Sequence, residues 1–211
     1  RKEGVMNTPE SPWEDVIAGF ESYDRAHPPS PGATVLVGSS SIGLWPDPFS
    51  DLAPHPVIQR GFGGSRMNEV LQYYSRIVKP YAPSRIVVYA GDNDIAIGRK
   101  PTDIAHDLEA IFRCARTDFP AVWTYCISVK PSPARHHLHA ELAATNVALR
   151  ALCASMSKSV YVDVWSPMHD MDGRIRGELY REDGLHMNAH GYSLWANKLK
   201  NLFDREAGHI V

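Results

Sequence analysis

The amino-acid sequence predicts an α/β chain folded as a three-layer α/β/α sandwich around a five-stranded parallel sheet. Three observations lead to it. Five short apolar runs recur along the 211 residues, each of a length that suits a strand. Amphipathic stretches with helical spacing separate them. Parallel neighbours need crossover connections and bury both sheet faces, so strands alternating with helices imply a sheet covered on both sides.

The opening element is a helix near Trp13–Ala26, which ends before Pro28-Pro29-Ser30-Pro31 because that stretch cannot continue it. Residues 1–32 are therefore expected to form an N-terminal helix and Pro-rich connector packed on a single domain over residues 33–211. Strands are predicted at Thr34–Val37, Val57–Gln59, Arg85–Ala90, Val122–Ser128 and Val160–Val164. Helices are predicted over Met67–Val78, Asp103–Arg116 and Leu138–Met156, and Asn188–Phe203 closes the chain as a helix. Neither a second domain nor an internal repeat is visible.

Composition narrows the function classes. A content of 44% hydrophobic and 22% charged residues is that of a soluble globular domain and excludes disordered and collagen-like chains. With 22 Lys+Arg against 24 Asp+Glu the net charge is −2, so nothing draws the chain toward nucleic acid or an anionic membrane. A small neutral or mixed-charge molecule fits that balance better as a partner. No apolar run approaches the roughly 18 residues of a membrane span, and no signal-peptide core is present, which leaves compartment and oligomeric state open. Cys114, Cys126 and Cys153 fall in predicted helix, strand and helix. An odd number at wide spacing is no disulfide framework, and buried free thiols are expected.

Four short motifs carry the chemistry. Gly38-Ser39-Ser40-Ser41-Ile42, Gly61-Phe62-Gly63-Gly64-Ser65 and Gly91-Asp92-Asn93-Asp94 each follow an apolar run, and Asp183-Gly184-Leu185-His186 lies near the C-terminus. Together they hold what acyl transfer requires: a nucleophilic hydroxyl, an imidazole to take its proton, a carboxylate to orient the imidazole, and donors for an oxyanion. Ligands of open parallel sheets bind beyond the carboxyl ends of the strands, and three of the motifs stand just past predicted strand ends.

In order and content the motifs resemble the four blocks of the SGNH hydrolases, the subgroup of GDSL esterases and lipases named for Ser, Gly, Asn and His, over about Thr34 to Leu199. The resemblance implies a flavodoxin-like strand order of 2-1-3-4-5. Counting from Gly38 to Trp45 against the family's first block puts the nucleophile at Ser40, with Ser39 where the family has aspartate. His186 is then general base and acid, and Asp183, three residues earlier, holds the imidazole tautomer. The implied oxyanion hole combines the backbone N–H groups of Ser40 and Gly64 with the Asn93 side-chain amide. No cofactor and no metal is implied.

Other readings of the same residues are weaker. Gly61-Phe62-Gly63-Gly64 fails the dinucleotide fingerprint because Arg66 stands where glycine is needed. Asp92 and Asp94 could pair as glycosidase carboxylates, but the Ser-His pair would be unexplained; Asp94 is read as bracing its loop. His136, His137 and His139 lack the second half of a metal site. Asp183 and His186 could be a mere turn before the last helix, with Asn188 as its N-cap. Lys130, Arg135, Arg66 and the segment Trp165–Glu182 are candidates for the pocket rim, and Trp45, Phe62, Tyr89 and Trp123 for core or pocket wall. The expected function is hydrolysis of small, short-chain acyl esters, acetylated carbohydrate among them, by a serine esterase. The alternatives are a non-catalytic binding module on the same scaffold, or an acyltransferase, lysophospholipase or thioesterase.

Overall fold

The computed structural model describes residues 11–208. Residues 1–10 of the expected N-terminal segment lie outside the described residues. The chain runs through α1 (Glu14–Ala26), β1 (Thr34–Gly38), the short helices α2 (Ser40–Gly43) and α3 (Pro48–Asp51), β2 (Val57–Gly61), α4 (Met67–Ile77), β3 (Arg85–Tyr89), the short α5 (Asp92–Ala96), α6 (Pro101–Asp118), β4 (Trp123–Ile127), α7 (His139–Ser155), β5 (Ser159–Val162) and α8 (Ala189–Gly208). All strands are parallel in the order β2-β1-β3-β4-β5. This is the α/β/α sandwich and strand order expected.

The alternation of side chains along each strand sorts the core into two layers. Val35, Val37, Ile86 and Val88 join Ile17 of α1, Val70 and Ile77 of α4, Leu108 and Phe112 of α6 and Leu149 of α7 on one face. Leu36, Val87, Tyr89, Tyr125 and Val162 meet Tyr192, Trp195, Leu199 and Phe203 of α8 on the other. Helix α1 is fastened to α4 by Arg76, whose guanidinium donates to Glu21 at 2.7 and 2.8 Å and to Glu14 at 2.9 Å.

Strand β5 is displaced from expectation. It starts at Ser159 and stops at Val162, because the Ser128 hydroxyl accepts the N–H groups of Val164 and Trp165, at 3.0 Å each, where a ladder carbonyl would otherwise be. Asp163 then accepts from the backbone N–H and hydroxyl of Ser166 and turns the chain into the next loop. Helix α6 starts two residues before its predicted start, at Pro101, a residue suited to the first turn since its missing N–H would have no intrahelical partner there.

The chain leaves β1 toward β2 and returns to β3 on the other side of β1, so the strand order switches direction between β1 and β3. Such a switch point opens a crevice at the carboxyl edge. Two glycines permit the packing there. A Cβ on Gly38 would lie 1.8 Å from the Tyr89 carbonyl oxygen, and one on Gly61 would lie 2.0 Å from the backbone nitrogen of Gly43 in α2. Helix α2 therefore rests directly on the end of β2. Gly61→Ala is expected to destabilise the fold by on the order of 1–3 kcal/mol or more, as overpacking does, read as a lowered urea midpoint; an unchanged midpoint would show that α2 can lift from β2 freely.

Candidate active site

The sequence after β1 builds a one-turn helix whose carbonyls are held from outside. The Gln59 side-chain amide donates to the carbonyls of Ile42 at 2.7 Å and Trp45 at 2.9 Å, and the Tyr192 hydroxyl donates to that of Ser41 at 3.0 Å. Trp45, stacked on Tyr192 with centroids 5.3 Å apart, donates from its indole to Asp51 at 2.7 Å. Ser40 is the first residue of this helix, where the backbone N–H has no intrahelical acceptor. The flanking hydroxyls of Ser39 and Ser41 are buried and have no hydrogen-bond partner among the described residues. Only Ser40 of the three faces the histidine.

The motif near the C-terminus forms a turn in front of α8. Asp183 Oδ1 accepts the N–H groups of Leu185 and His186 at 2.9 Å each, and Asp183 Oδ2 lies 2.7 Å from His186 Nδ1. His186 Nε2 lies 3.2 Å from Ser40 Oγ. The structure thus brings together three residues that the sequence separates widely. The carboxylate fixes the tautomer: an ionised Asp183 can only accept, so Nδ1 carries a proton and Nε2 is free to take one from Ser40. The backbone N–H of His186, then that of Leu185, then the ring itself hold the Asp183 carboxyl well below the usual carboxylate range. Gly184 adopts φ +62 and packs against Pro133 and Ala134, whose N–H donates to the Gly184 carbonyl at 3.0 Å. Asn188 also serves as the N-cap of α8, accepting the N–H of His190 at 2.9 Å. The turn is both a helix entry and the holder of His186.

The loops after β2 and β3 lie beside Ser40. An added Cβ on Gly63 would come within 3.9 Å of the Ser40 Cβ. The Gly63 carbonyl is tied to the Trp13 indole N–H at 2.8 Å, so the segment leading into α1 steadies the loop that ends in Gly64. Asn93 Nδ2 donates to the Ser65 carbonyl at 3.1 Å, which also links the two loops. Asp94 is fully buried and accepts the Met67 N–H at 3.1 and 3.2 Å and the Arg99 guanidinium at 2.7 Å. Burial pushes its carboxyl up, opposed by the Met67 N–H and Arg99. The reading of Asp94 as a loop brace is what these contacts describe.

A family profile described as GDSL-like lipase/acylhydrolase matches residues 25–194. The chain belongs to that family. No curated protein sequence matches it. Among solved structures, a GDSL-like lipase from Bacteroides thetaiotaomicron is 20% identical with a TM-score of 0.76, covering 90% of this chain and 99% of that one. A candidate acylhydrolase from Bacteroides fragilis is 20% identical with a TM-score of 0.75, covering 97% and 99%. A variant of an acetyl-xylooligosaccharide esterase from Geobacillus is 11% identical with a TM-score of 0.64, covering 81% and 93%. At these identities the likeness is one of fold.

Several residues of this GDSL-family chain sit elsewhere than expected. Lys130 is no rim residue: it is 1% exposed and pairs with Asp92 at 3.2 Å beneath the site. Arg66, by contrast, keeps a partly exposed side chain while pairing with Glu69 at the start of α4. Arg135 reaches inward to Asp92 and Asn93. As expected, Trp45, Phe62 and Tyr89 are buried core, and Trp123, which opens β4 at the opposite end of the sheet, packs half-buried against it. Cys114 is exposed, contrary to expectation, while Cys126 and Cys153 are buried free thiols. His136 and His139 stack with centroids 5.9 Å apart, and Trp165 and His169 extend the ring cluster. Among the described residues no group of three or more His, Cys, Asp or Glu is placed to hold a metal ion, and no helix is long and apolar enough to cross a membrane. His136, His139, Pro133, Arg174 and Ile175 line an open groove, and next to Pro133 the Ala134 N–H bonds the Gly184 carbonyl of the Asp183–His186 turn.

A depressed carboxylate contributes stability that is present above its unfolded value and lost as pH falls through the folded one. The stability difference between the wild type and Asp183→Asn should therefore be full near pH 6 and shrink in acid below the ordinary carboxylate range, as read from urea midpoints across pH. A difference that grew toward acid would contradict the ionised, hydrogen-bonded Asp183.

Proposed function

We propose that this chain is a serine esterase that hydrolyses small, short-chain acyl esters through a covalent acyl-enzyme. The observation that carries this reading is the relay in which Asp183 meets His186 at 2.7 Å and His186 meets Ser40 at 3.2 Å, a geometry suited to general-base activation of a hydroxyl. As Ser40 Oγ bonds to the acyl carbon, its proton passes to His186 Nε2 and the carbonyl electron pair moves onto oxygen. The backbone N–H groups of Ser40 and Gly64 and the Asn93 amide are the donors assigned to that oxyanion. Collapse re-forms the carbonyl and breaks the bond to the alcohol oxygen, which leaves with the proton from His186. Water then attacks the acyl-enzyme, gives a proton to His186, and the released Ser40 oxygen takes it back. Asp183 stays ionised and stabilises the transient imidazolium.

Two features support a neutral ester over a cationic one. The acids nearest the site are occupied: Asp94 by Arg99 and Asp92 by Lys130 and Arg135. The carboxylate that addresses the reacting centre, Asp183, does so through the imidazole. The fold shared with an acetyl-xylooligosaccharide esterase is in keeping with acetylated carbohydrate as one substrate class.

Ser40→Ala is expected to abolish hydrolysis of p-nitrophenyl acetate, while Ser39→Ala and Ser41→Ala retain it; turnover surviving in Ser40→Ala with its melting temperature unchanged would refute the assignment. Removal of one oxyanion donor typically costs about a hundred- to thousandfold in turnover. Asn93→Ala should show a loss of that order in kcat, and a loss below about threefold would remove Asn93 from the hole.

A further inference from the structure

Behind Asn93 lies a buried charge arrangement that the relay does not use. Asp92 is 4% exposed and Lys130 1% exposed. The Lys130 ammonium stands 3.2 Å from Asp92 Oδ2, and Arg135 Nη1 stands 3.0 Å from the same oxygen as a close ion pair outside hydrogen-bond alignment. The second arm of the guanidinium, Nη2, donates to Asn93 Oδ1 at 2.8 Å. Burial alone would favour a neutral Asp92, but Lys130 and Arg135 overcome it and hold the carboxyl ionised. Two cations thus face one carboxylate. The neighbouring Asp94 is matched by its own partner, Arg99.

We propose that Arg135 is the positioning residue of the oxyanion donor. This rests on the esterase reading above. A guanidinium has donors and no acceptor, so its contact with Asn93 dictates which end of the carboxamide is oxygen. The amide nitrogen is thereby turned to the other side, where one N–H is spent on the Ser65 carbonyl and the second is left for a developing negative charge. Without Arg135 only the Ser65 carbonyl would hold the carboxamide in this orientation, and a half-turn would present its oxygen, an acceptor, to the oxyanion. The charge on Arg135 acts in the same direction. Donation to Oδ1 polarises the amide and strengthens its N–H groups as donors. The uncompensated positive charge of the Lys130, Arg135 and Asp92 group also lies on the far side of Asn93 from the reacting carbonyl, in surroundings that screen it less than water does.

The reach of Arg135 depends on where its backbone is held. It sits at the kink of the short 3-10 segment Pro133–Leu138 ahead of α7, and the adjacent Ala134 N–H is bonded to the Gly184 carbonyl of the Asp183–His186 turn. One short segment therefore supports both the oxyanion donor and the turn that carries the base.

The test is a double-mutant cycle on p-nitrophenyl acetate hydrolysis, run beside the rate of inactivation by a fluorophosphonate. Arg135→Ala is expected to lower kcat about tenfold or more with KM within about twofold, and to slow inactivation in parallel, because the phosphonyl oxygen uses the same donors. In the Asn93→Ala background the Arg135 substitution should cost nothing further, since a residue acting through another loses its effect when that other is gone. Losses that multiply across the two sites would overturn the proposal. So would an effect confined to KM, which would make Arg135 a substrate-binding group, or an unchanged kcat. If Arg135→Ala does not fold, Arg135→Lys keeps the charge but not the two-armed geometry. It should lose kcat several-fold in wild-type background and nothing in Asn93→Ala, with multiplied losses again contrary. A wild type that neither turns over ester nor reacts with the fluorophosphonate would instead defeat the esterase reading itself.

Discussion

The end of β2 and the one-turn helix that carries Ser40 touch backbone to backbone, with no side chain between them. Gly61 makes this possible, since an added Cβ would fall 2.0 Å from the Gly43 nitrogen. Close approach lets Gln59, two residues earlier on β2, reach two carbonyls at the exit of α2. It also brings α2 under α8, where Tyr192 takes the Ser41 carbonyl. Ser40 is consequently fixed by a strand, a second strand and a long helix. The first turn of α2 is left open toward the crevice between β1 and β3, and the loops after β2 and β3 close around it. The proposed nucleophile, supported in this way, has its geometry set by the sheet, which is the rigid part of such a fold.

The same edge collects four carboxylates and stabilises each by a different device. Asp94 is enclosed with Arg99 and a backbone N–H, and Arg99 in turn holds Asp107 at 2.7 Å. Asp92 lies under two cations. Asp183, half exposed, is stabilised by two N–H groups of its own turn before it touches the imidazole. Asp163 caps the loop that follows β5. Buried ion pairs are weak sources of stability because desolvation offsets their attraction. Their value here is orientation, and removing a single partner would leave an uncompensated charge under the site.

Much of this was legible in the residues. Apolar runs of five or so residues separated by helical spacing announce a parallel sheet, and motifs placed after those runs announce where its working edge lies. The Ser40 position follows from counting along the first block, and the structure turns that hydroxyl, and neither neighbour, toward His186. What could not be read has a physical reason in each case. Lys130 and Arg135 stand in a polar, Pro-rich stretch that resembles a solvated rim, and only the fold reveals that Asp92 awaits them. Trp13 reads as the edge of an amphipathic helix, whereas its indole reaches Gly63, fifty positions on. The early end of β5 depends on the Ser128 hydroxyl, a side-chain competitor for ladder hydrogen bonds that no periodicity signals. Cys114 sits on a helix with a partly apolar pattern, and its exposure is a matter of which face that helix turns outward.

The central claim is that Ser40 is the nucleophile and that its own N–H, the Gly64 N–H and the Asn93 amide receive the oxyanion. A crystal structure of the protein after reaction with a fluorophosphonate tests it most directly. The predicted result is a single adduct on Ser40 Oγ, with the phosphonyl oxygen within hydrogen-bond distance of those three donors and His186 still beside the ester oxygen. An adduct on another residue, or a phosphonyl oxygen turned away from Gly64 and Asn93, would contradict it.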